Sequence, residues 1–230
     1  SEKRAVYMKG SSRPLLPISG RVLSQLFEQS RGNLREVTLR DMIFNEEHIH
    51  VLASVARQKL ELVLRACKFS DDEACRNVFR HWLQSGGGPT ELCRCVIDSD
   101  VLSDAMRGNS RLGKLLLSPE RASTADDSEL SLLVNALAEN KGLTDFDAFW
   151  YASSDENWSI LCRSLQKHPT LTSLDLACTG PKNPAGKRLF SEEQKTNRTL
   201  ALAEMMQTNP ILLAIALCPS EGCMLEVTKD

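Results

Sequence analysis

Apolar residues in this 230-residue chain return in a six-residue frame, apolar-x-x-apolar-x-apolar, at seven places. The clearest copy is Leu171-x-x-Leu174-x-Leu176. Others are Leu34-x-x-Val37-x-Leu39, Leu92-x-x-Cys95-x-Ile97, Leu112-x-x-Leu115-x-Leu117 and Leu212-x-x-Ile215-x-Leu217. Two are degenerate, Lys59-x-x-Leu62-x-Leu64 and Leu143-x-x-Phe146-x-Ala148. The alternation in each predicts a short strand with one face buried.

Between these frames the apolar spacing changes to three and four, which predicts amphipathic helices. The segment 45–58 starts at Asn45, a good N-cap, with Ile49, Leu52, Val55 and Ala56 on one face. The segment 70–84 opens with Ser70 and Glu73 at capping-box spacing, and its stripe is Ala74, Val78, Phe79, Trp82 and Leu83. Further helices are predicted over 128–140, over 153–168 behind a Ser153/Glu156 box, and over 191–209. Near Asp100-Val101-Leu102 the third unit has room for only one or two helical turns. A helix over 18–30 precedes the first strand and is predicted to cover its open edge. VTLRDMIFNEE aligns with LVLRACKFSDD, so Phe44 and Phe69 occupy one site in successive units. The insertion 181–190, with two prolines and three basic residues, reads as an exposed loop.

Strand and helix recurring at a spacing of about 30 residues predict an α/β solenoid, with a parallel concave sheet and convex helices. The passages ENWSILCRSLQKHPTLTSLDL and RTLALAEMMQTNPILLAIAL resemble the ribonuclease-inhibitor-like class of leucine-rich repeats. The resemblance covers roughly residues 32–218. It implies a right-handed horseshoe: residues 1–33 a tail and capping helix, 34–218 seven repeats, 219–230 a C-terminal tail, possibly truncated. It also implies a scaffold that binds protein on its concave sheet without catalysis. The family places Asn or Cys eight residues after the first Leu, and only Cys67 matches among Met42, Cys67, Asp100, Glu120, Tyr151, Thr179 and Ser220.

A net charge of −2 gives no basic field for nucleic acid or an anionic membrane. No apolar run reaches the length of a membrane-crossing helix and no signal core is visible, so a cytoplasmic protein is expected. The eight cysteines read as buried reduced thiols, several of them at sites where a repeat wants a small apolar residue. Cys93-x-Cys95 lacks a second ligand pair for zinc. His48 and His50, two apart, face different sides of a helix and are read as surface residues, not zinc ligands. No phosphate loop or nucleophile signature is present. The chain is therefore read as a non-enzyme with no cofactor.

Strand alternation places three rows on the concave face. The first is Glu36, Glu61, Arg94, Lys114, Asp145, Ser173 and Ala214, and the second Thr38, Val63, Val96, Leu116, Asp147, Asp175 and Ala216. The third is Arg40, Arg65, Asp98, Ser118, Phe149, Ala177 and Cys218. Arg40 and Arg65 should stack on adjacent strands. Asp145, Asp147 and Asp175 should cluster beside Phe149, Trp150 and Tyr151, an aromatic set with a charged rim of the kind that anchors interfaces. The expected partner is a protein. Docking to regulate an enzyme such as a small GTPase is the alternative, a hydrolase with an unrecognised site is a third reading, and end-to-end self-association through the C-terminal edge is a further partner reading.

Overall fold

The computed structural model describes residues 4–9, 19–29, 34–56, 60–117, 127–148, 154–176, 191–212, 214–217 and 225–228. Strand and helix alternate along them. The order is β1 (Arg4–Lys9), α1 (Gly20–Gln29), β2 (Leu34–Arg40), β3 (Ile43–Phe44), α2 (Glu46–Ala56), β4 (Glu61–Arg65), β5 (Lys68–Phe69) and α3 (Glu73–Gln84). There follow β6 (Glu91–Cys93), α4 (Ser99–Gly108), β7 (Lys114–Leu116), α5 (Asp127–Glu139), β8 (Asp145–Ala148), α6 (Asp155–Leu165), β9 (Ser173–Leu176), α7 (Glu192–Thr208), β10 (Ala214–Leu217) and β11 (Leu225–Thr228).

Nine strands form one sheet in the order β1-β2-β4-β6-β7-β8-β9-β10-β11, and β3 pairs with β5 in a separate two-stranded ladder. Each main strand lies beside the next one in the chain, and each helix packs on the helix of the following unit. All pairings from β1 to β10 are parallel, whereas β11 runs antiparallel to β10.

The leucine-rich-repeat horseshoe with a wholly parallel sheet is corrected here. The sheet is mixed, and it extends past both ends of the expected array. β1 extends the sheet beside β2, so that edge is occupied by a strand rather than covered by helix α1, which packs on α2 instead. Nor does one hexapeptide frame run through the chain. Leu39, Leu64, Leu92, Leu115, Phe146, Leu174 and Ile215 stand in register across the sheet. They take the last position of the first two motifs, the first of the third and the middle of the rest. We describe the fold as α/β, a nine-stranded mixed sheet with sequentially packed helices.

The core lies between sheet and helices. The register row from Leu39 to Leu174 is at most 3% exposed. It meets Leu23 and Phe27 of α1, Ile49 and Leu52 of α2, Phe79, Trp82 and Leu83 of α3, Leu102 and Met106 of α4, Val134 and Leu137 of α5, and Leu161 and Leu165 of α6. Cys75 takes the core place expected of Ala74, which is exposed. Helix α4 runs for ten residues, longer than expected, because Val101, Leu102, Ala105 and Met106 repeat at helical spacing and are all buried.

Helix starts follow local chemistry. Asn45 Oδ1 accepts the His48 N–H at 3.1 Å and His48 Nδ1 accepts the Asn45 N–H at 3.2 Å, a reciprocal cap that explains why His48 is buried rather than on the surface. Asp72, not Ser70, caps α3 by accepting from the Cys75 N–H at 2.7 Å. Ser154 rather than Ser153 caps α6, and Ser191 with Gln194 forms a complete capping box on α7. Between α6 and α7, Arg198 Nε meets Asp155 Oδ1 at 2.8 Å and its guanidinium lies 5.5 Å from the Trp158 ring centre. The Trp158 Nε1–H donates to the Arg198 carbonyl at 3.1 Å.

Three units share a kink after the strand. Asp41, Ala66 and Arg94 are left-handed, at φ 55°, 49° and 54°. Their N–H groups donate to Arg65, Cys93 and Leu116 carbonyls on the next strand at 3.0, 2.8 and 2.7 Å. The chain then runs into a second ladder, Ile43 beside Lys68 and Phe44 beside Phe69, with Lys68 bridged to Val96. The Phe44 and Phe69 ring centres are 5.6 Å apart, and Phe69 stacks on Phe79 at 4.1 Å.

Candidate functional site

Strand side chains alternate, so the residues flanking the buried register row occupy the opposite face of the sheet. One row there is Thr38, Val63, Glu91, Lys114, Asp145, Ser173 and Ala214; the next is Arg40, Arg65, Cys93, Leu116, Asp147, Asp175 and Ala216. Arg40 and Arg65 are direct register partners. Asp147 is the partner of Asp175, and Asp145 that of Ser173. Phe149, Trp150 and Tyr151 lie outside the described residues, as do Ser118, Ala177 and Cys218.

The expected rows are corrected in the first three units. Arg94 is exposed in the left-handed kink past the end of β6, Val96 belongs to the second ladder, and Asp98 is the N-cap residue of α4, where it meets Arg76 at 3.0 Å. Glu91 and Cys93 hold the face positions instead. Glu36 and Glu61 pair with each other, but their row ends there, because Val63 is the residue that meets Glu91. The legible signal was Cys67 aligning with Cys95, which shifts the third frame by five residues against the second.

Like charges are paired on neighbouring strands of this sheet, Glu36 with Glu61 and Arg40 with Arg65 on β2 and β4, and Asp147 with Asp175 on β8 and β9. At the β2–β4 side, Arg40 Nε is 3.3 Å from Asp41 and Arg65 lies 3.7 Å from Glu91. These half-exposed pairs ease the repulsion between the two guanidiniums, and each contributes little stability. At the β8–β9 side the named charges are all acidic. Asp145 accepts from the Thr144 hydroxyl at 2.7 Å. Burial pushes the Asp175 carboxyl above its ordinary range. Between the two ends, Cys93 is 7% exposed, and burial first and the neighbouring Glu91 second push its thiol up to about 11.

Cysteines 67, 75, 93, 95 and 162 are buried. Cys67 and Cys95 occupy equivalent turns, where their thiols donate to the Leu39 and Leu64 carbonyls; the neighbouring Cys95 holds the Cys67 thiol low, and Cys67 with burial drives Cys95 high. Among the described residues no three His, Cys, Asp or Glu side chains stand as a metal-binding group. No helix among them is long and apolar enough to cross a membrane.

Sequence reading missed a second set of equivalent residues beneath the sheet. Asn109, Asn140, His168 and Asn209 each sit three residues before Leu112, Leu143, Leu171 and Leu212, and all are buried. Asn109 Nδ2 donates to the Leu83 carbonyl at 2.9 Å, while its Oδ1 accepts from the Arg111 and Leu112 N–H groups. Asn209 does the same for Leu165, Ile211 and Leu212. Each asparagine side chain ties one unit's turn to the preceding unit's helix end, and His168 Nδ1 accepts within its own turn. The signal, Asn or His three residues before a motif leucine, is present in the sequence.

No protein-family model matches the chain, and no curated protein matches it. The family comparison therefore supplies no leucine-rich-repeat relative. One similar solved structure is a tetrameric deoxyribose phosphate aldolase from Aeropyrum pernix, 12% identical, covering 89% of this chain and 86% of that chain with a TM-score of 0.28. That protein is an aldolase and not the repeat horseshoe expected from sequence, and at this score the likeness carries no argument about fold or activity.

Proposed function

We propose that the chain is a non-catalytic binding module that holds a protein partner on the solvent-facing side of its nine-stranded sheet. The observation that supports this reading is the pairing of like charges on neighbouring strands, Arg40 and Arg65 side by side on β2 and β4, and Asp147 beside Asp175 on β8 and β9. A folded scaffold gains nothing in stability from grouping like charges on neighbouring strands. A partner of complementary polarity does gain, in encounter rate and in orientation. The strands are held by a continuous core, so binding to them costs little conformational entropy.

The test is affinity capture with three proteins: the wild-type chain, an Asp145→Lys/Asp147→Lys/Asp175→Lys variant and an Arg40→Glu/Arg65→Glu variant. A protein retained by the wild type and lost from both variants supports the reading. If the same proteins are retained by all three, with folding verified by circular dichroism, the sheet face is not the binding surface.

A further inference from the structure

A second surface, on the helix side, has the chemistry of a small-molecule site. A cleft of about 760 Å³ opens between α2 and α3, within the range typical of ligand pockets. Its described lining contains the Trp82 indole, Asn77, Arg111, His50, His81 and Gly87, and no carboxylate.

The cleft is rich in donors. Trp82 is 2% exposed, and its Nε1–H has no hydrogen-bond partner. An indole nitrogen can only donate, and a buried donor left unpaired costs on the order of 1–3 kcal/mol. Trp82 and Gly87 both line the cleft, and a Cβ placed on Gly87 would stand 3.8 Å from the indole nitrogen. Asn77 accepts from Arg80 through Oδ1 at 2.9 Å, which turns its NH₂ into the group offered elsewhere. Arg111 gives one guanidinium N–H to the Leu60 carbonyl and brings a permanent positive charge to the wall. Burial lowers its pKa, so the charge is partly desolvated, a cost that a bound anion offsets. Glu46, the carboxylate that meets the lining, is turned to His50 Nε2 at 3.5 Å. Between these polar groups, the Trp82 ring with Ala53 and Val78 supplies apolar wall.

We propose that this cleft binds a small organic anion, a carboxylate carried on an apolar or aromatic body, with the Trp82 N–H and the Arg111 guanidinium directed at the carboxylate. The site is on the face opposite the charged strands and does not depend on the partner reading above.

The experiment is a titration of ¹⁵N-labelled protein with 1-naphthoate and, separately, with the neutral 1-naphthalenemethanol. The indole N–H resonance of Trp82 is identified by its loss in Trp82→Phe. Naphthoate is expected to shift that resonance saturably and to bind at least about tenfold more tightly than the alcohol, as a hydrogen bond to a charged acceptor requires. Gly87→Leu fills the cleft, and its Cβ meets Ser85 Oγ and Trp82 only at 3.4 to 3.8 Å, so the variant is expected to fold and to lose binding. Trp82→Phe should weaken naphthoate about tenfold. Absence of a saturable shift at millimolar naphthoate overturns the proposal. So do equal affinities for acid and alcohol, or unchanged binding by Gly87→Leu. The wild-type comparison of the two probes decides the matter even if Trp82→Phe does not fold.

Discussion

The side-chain amide of Asn140 donates to the backbone carbonyl of Asn109 at 2.8 Å, so one buried asparagine hangs on the turn of the unit before it. The same amide donates to the Met106 carbonyl at 2.6 Å, at the end of α4. Its Oδ1 accepts from the Gly142 and Leu143 N–H groups at 2.9 and 2.8 Å. One side chain thus satisfies the last carbonyls of one helix and the first donors of the following strand, groups that neither element pairs by itself.

Asn140→Ala leaves those groups buried and unmet. We expect it to lower the unfolding free energy by about 2–4 kcal/mol, since each stranded buried group costs about 1–3 kcal/mol and the turn relaxes in part. Urea unfolding followed by circular dichroism measures this. Alanine at exposed Asn135 on the preceding helix α5, whose contact is a single 3.5 Å approach to Ser131, should cost under about 0.5 kcal/mol. Equal losses at the two positions would show that the buried asparagine is not a structural tie.

Strand positions were legible in the sequence, but their frame was not, and the reason is physical. In the first three units the apolar set Leu39, Met42 and Phe44 recurs as Leu64, Cys67 and the partly buried Phe69, and as Leu92, Cys95 and Ile97. That set has the same apolar-x-x-apolar-x-apolar spacing as the motif read from Leu34, because the left-handed residue between its members breaks the strand alternation. Two overlapping copies of one spacing therefore exist in each of the first two units, and the spacing alone does not choose between them. A slip of two residues also preserves which face each side chain takes. The backbone pairing puts Glu91, and not Val96, next to Val63. Arg40 beside Arg65 was legible because the first two units align without a gap. The antiparallel β11 was not legible, since four residues carry too little pattern to declare a direction.

The kink itself can be tested. Ala66 holds φ 49° with a side chain that L-residues rarely tolerate there, and its N–H is tied to the Cys93 carbonyl at 2.8 Å. Glycine adopts that conformation without steric cost. Ala66→Gly should therefore stabilise the protein, by about 0.5–1 kcal/mol after the added chain entropy is subtracted. A rise in thermal midpoint of a few degrees is the expected reading. A fall would mean that the Ala66 methyl packs in a way that outweighs the backbone strain.

Cys93 should resist modification in the folded protein. With its thiol pushed up to about 11, only about one molecule in a thousand is thiolate at pH 8, and the thiolate is the nucleophile. Alkylation by iodoacetamide, read residue by residue by mass spectrometry, is expected to be slower at Cys93 in native protein than in urea by tenfold or more. Glu91→Gln removes a negative charge that holds the thiol protonated, so it should speed Cys93 labelling. Unchanged labelling in that variant would leave burial as the whole cause.

His168 takes the place that asparagine holds in the neighbouring units, and this makes one turn sensitive to pH. Its Nδ1 accepts from the Leu171 N–H at 3.1 Å, the role of Asn140 Oδ1 toward Leu143. Burial lowers its pKa below 6.5, while the nearby Leu137 carbonyl opposes the shift. The folded chain therefore binds a proton at this ring less readily than the unfolded chain does. Its contribution to stability is complete above about pH 6.5 and is lost as the pH falls through the lower folded value. Protonation also converts Nδ1 from acceptor to donor and faces it against two backbone N–H groups, those of Thr170 and Leu171. His168→Asn substitutes the residue that the chain uses at 109, 140 and 209, which accepts at every pH. Urea midpoints measured from pH 8 to pH 5 should fall more steeply for the wild type than for His168→Asn, with the two proteins diverging below about pH 6.5. Parallel curves over that range would show that the imidazole stays neutral or that the turn does not depend on it.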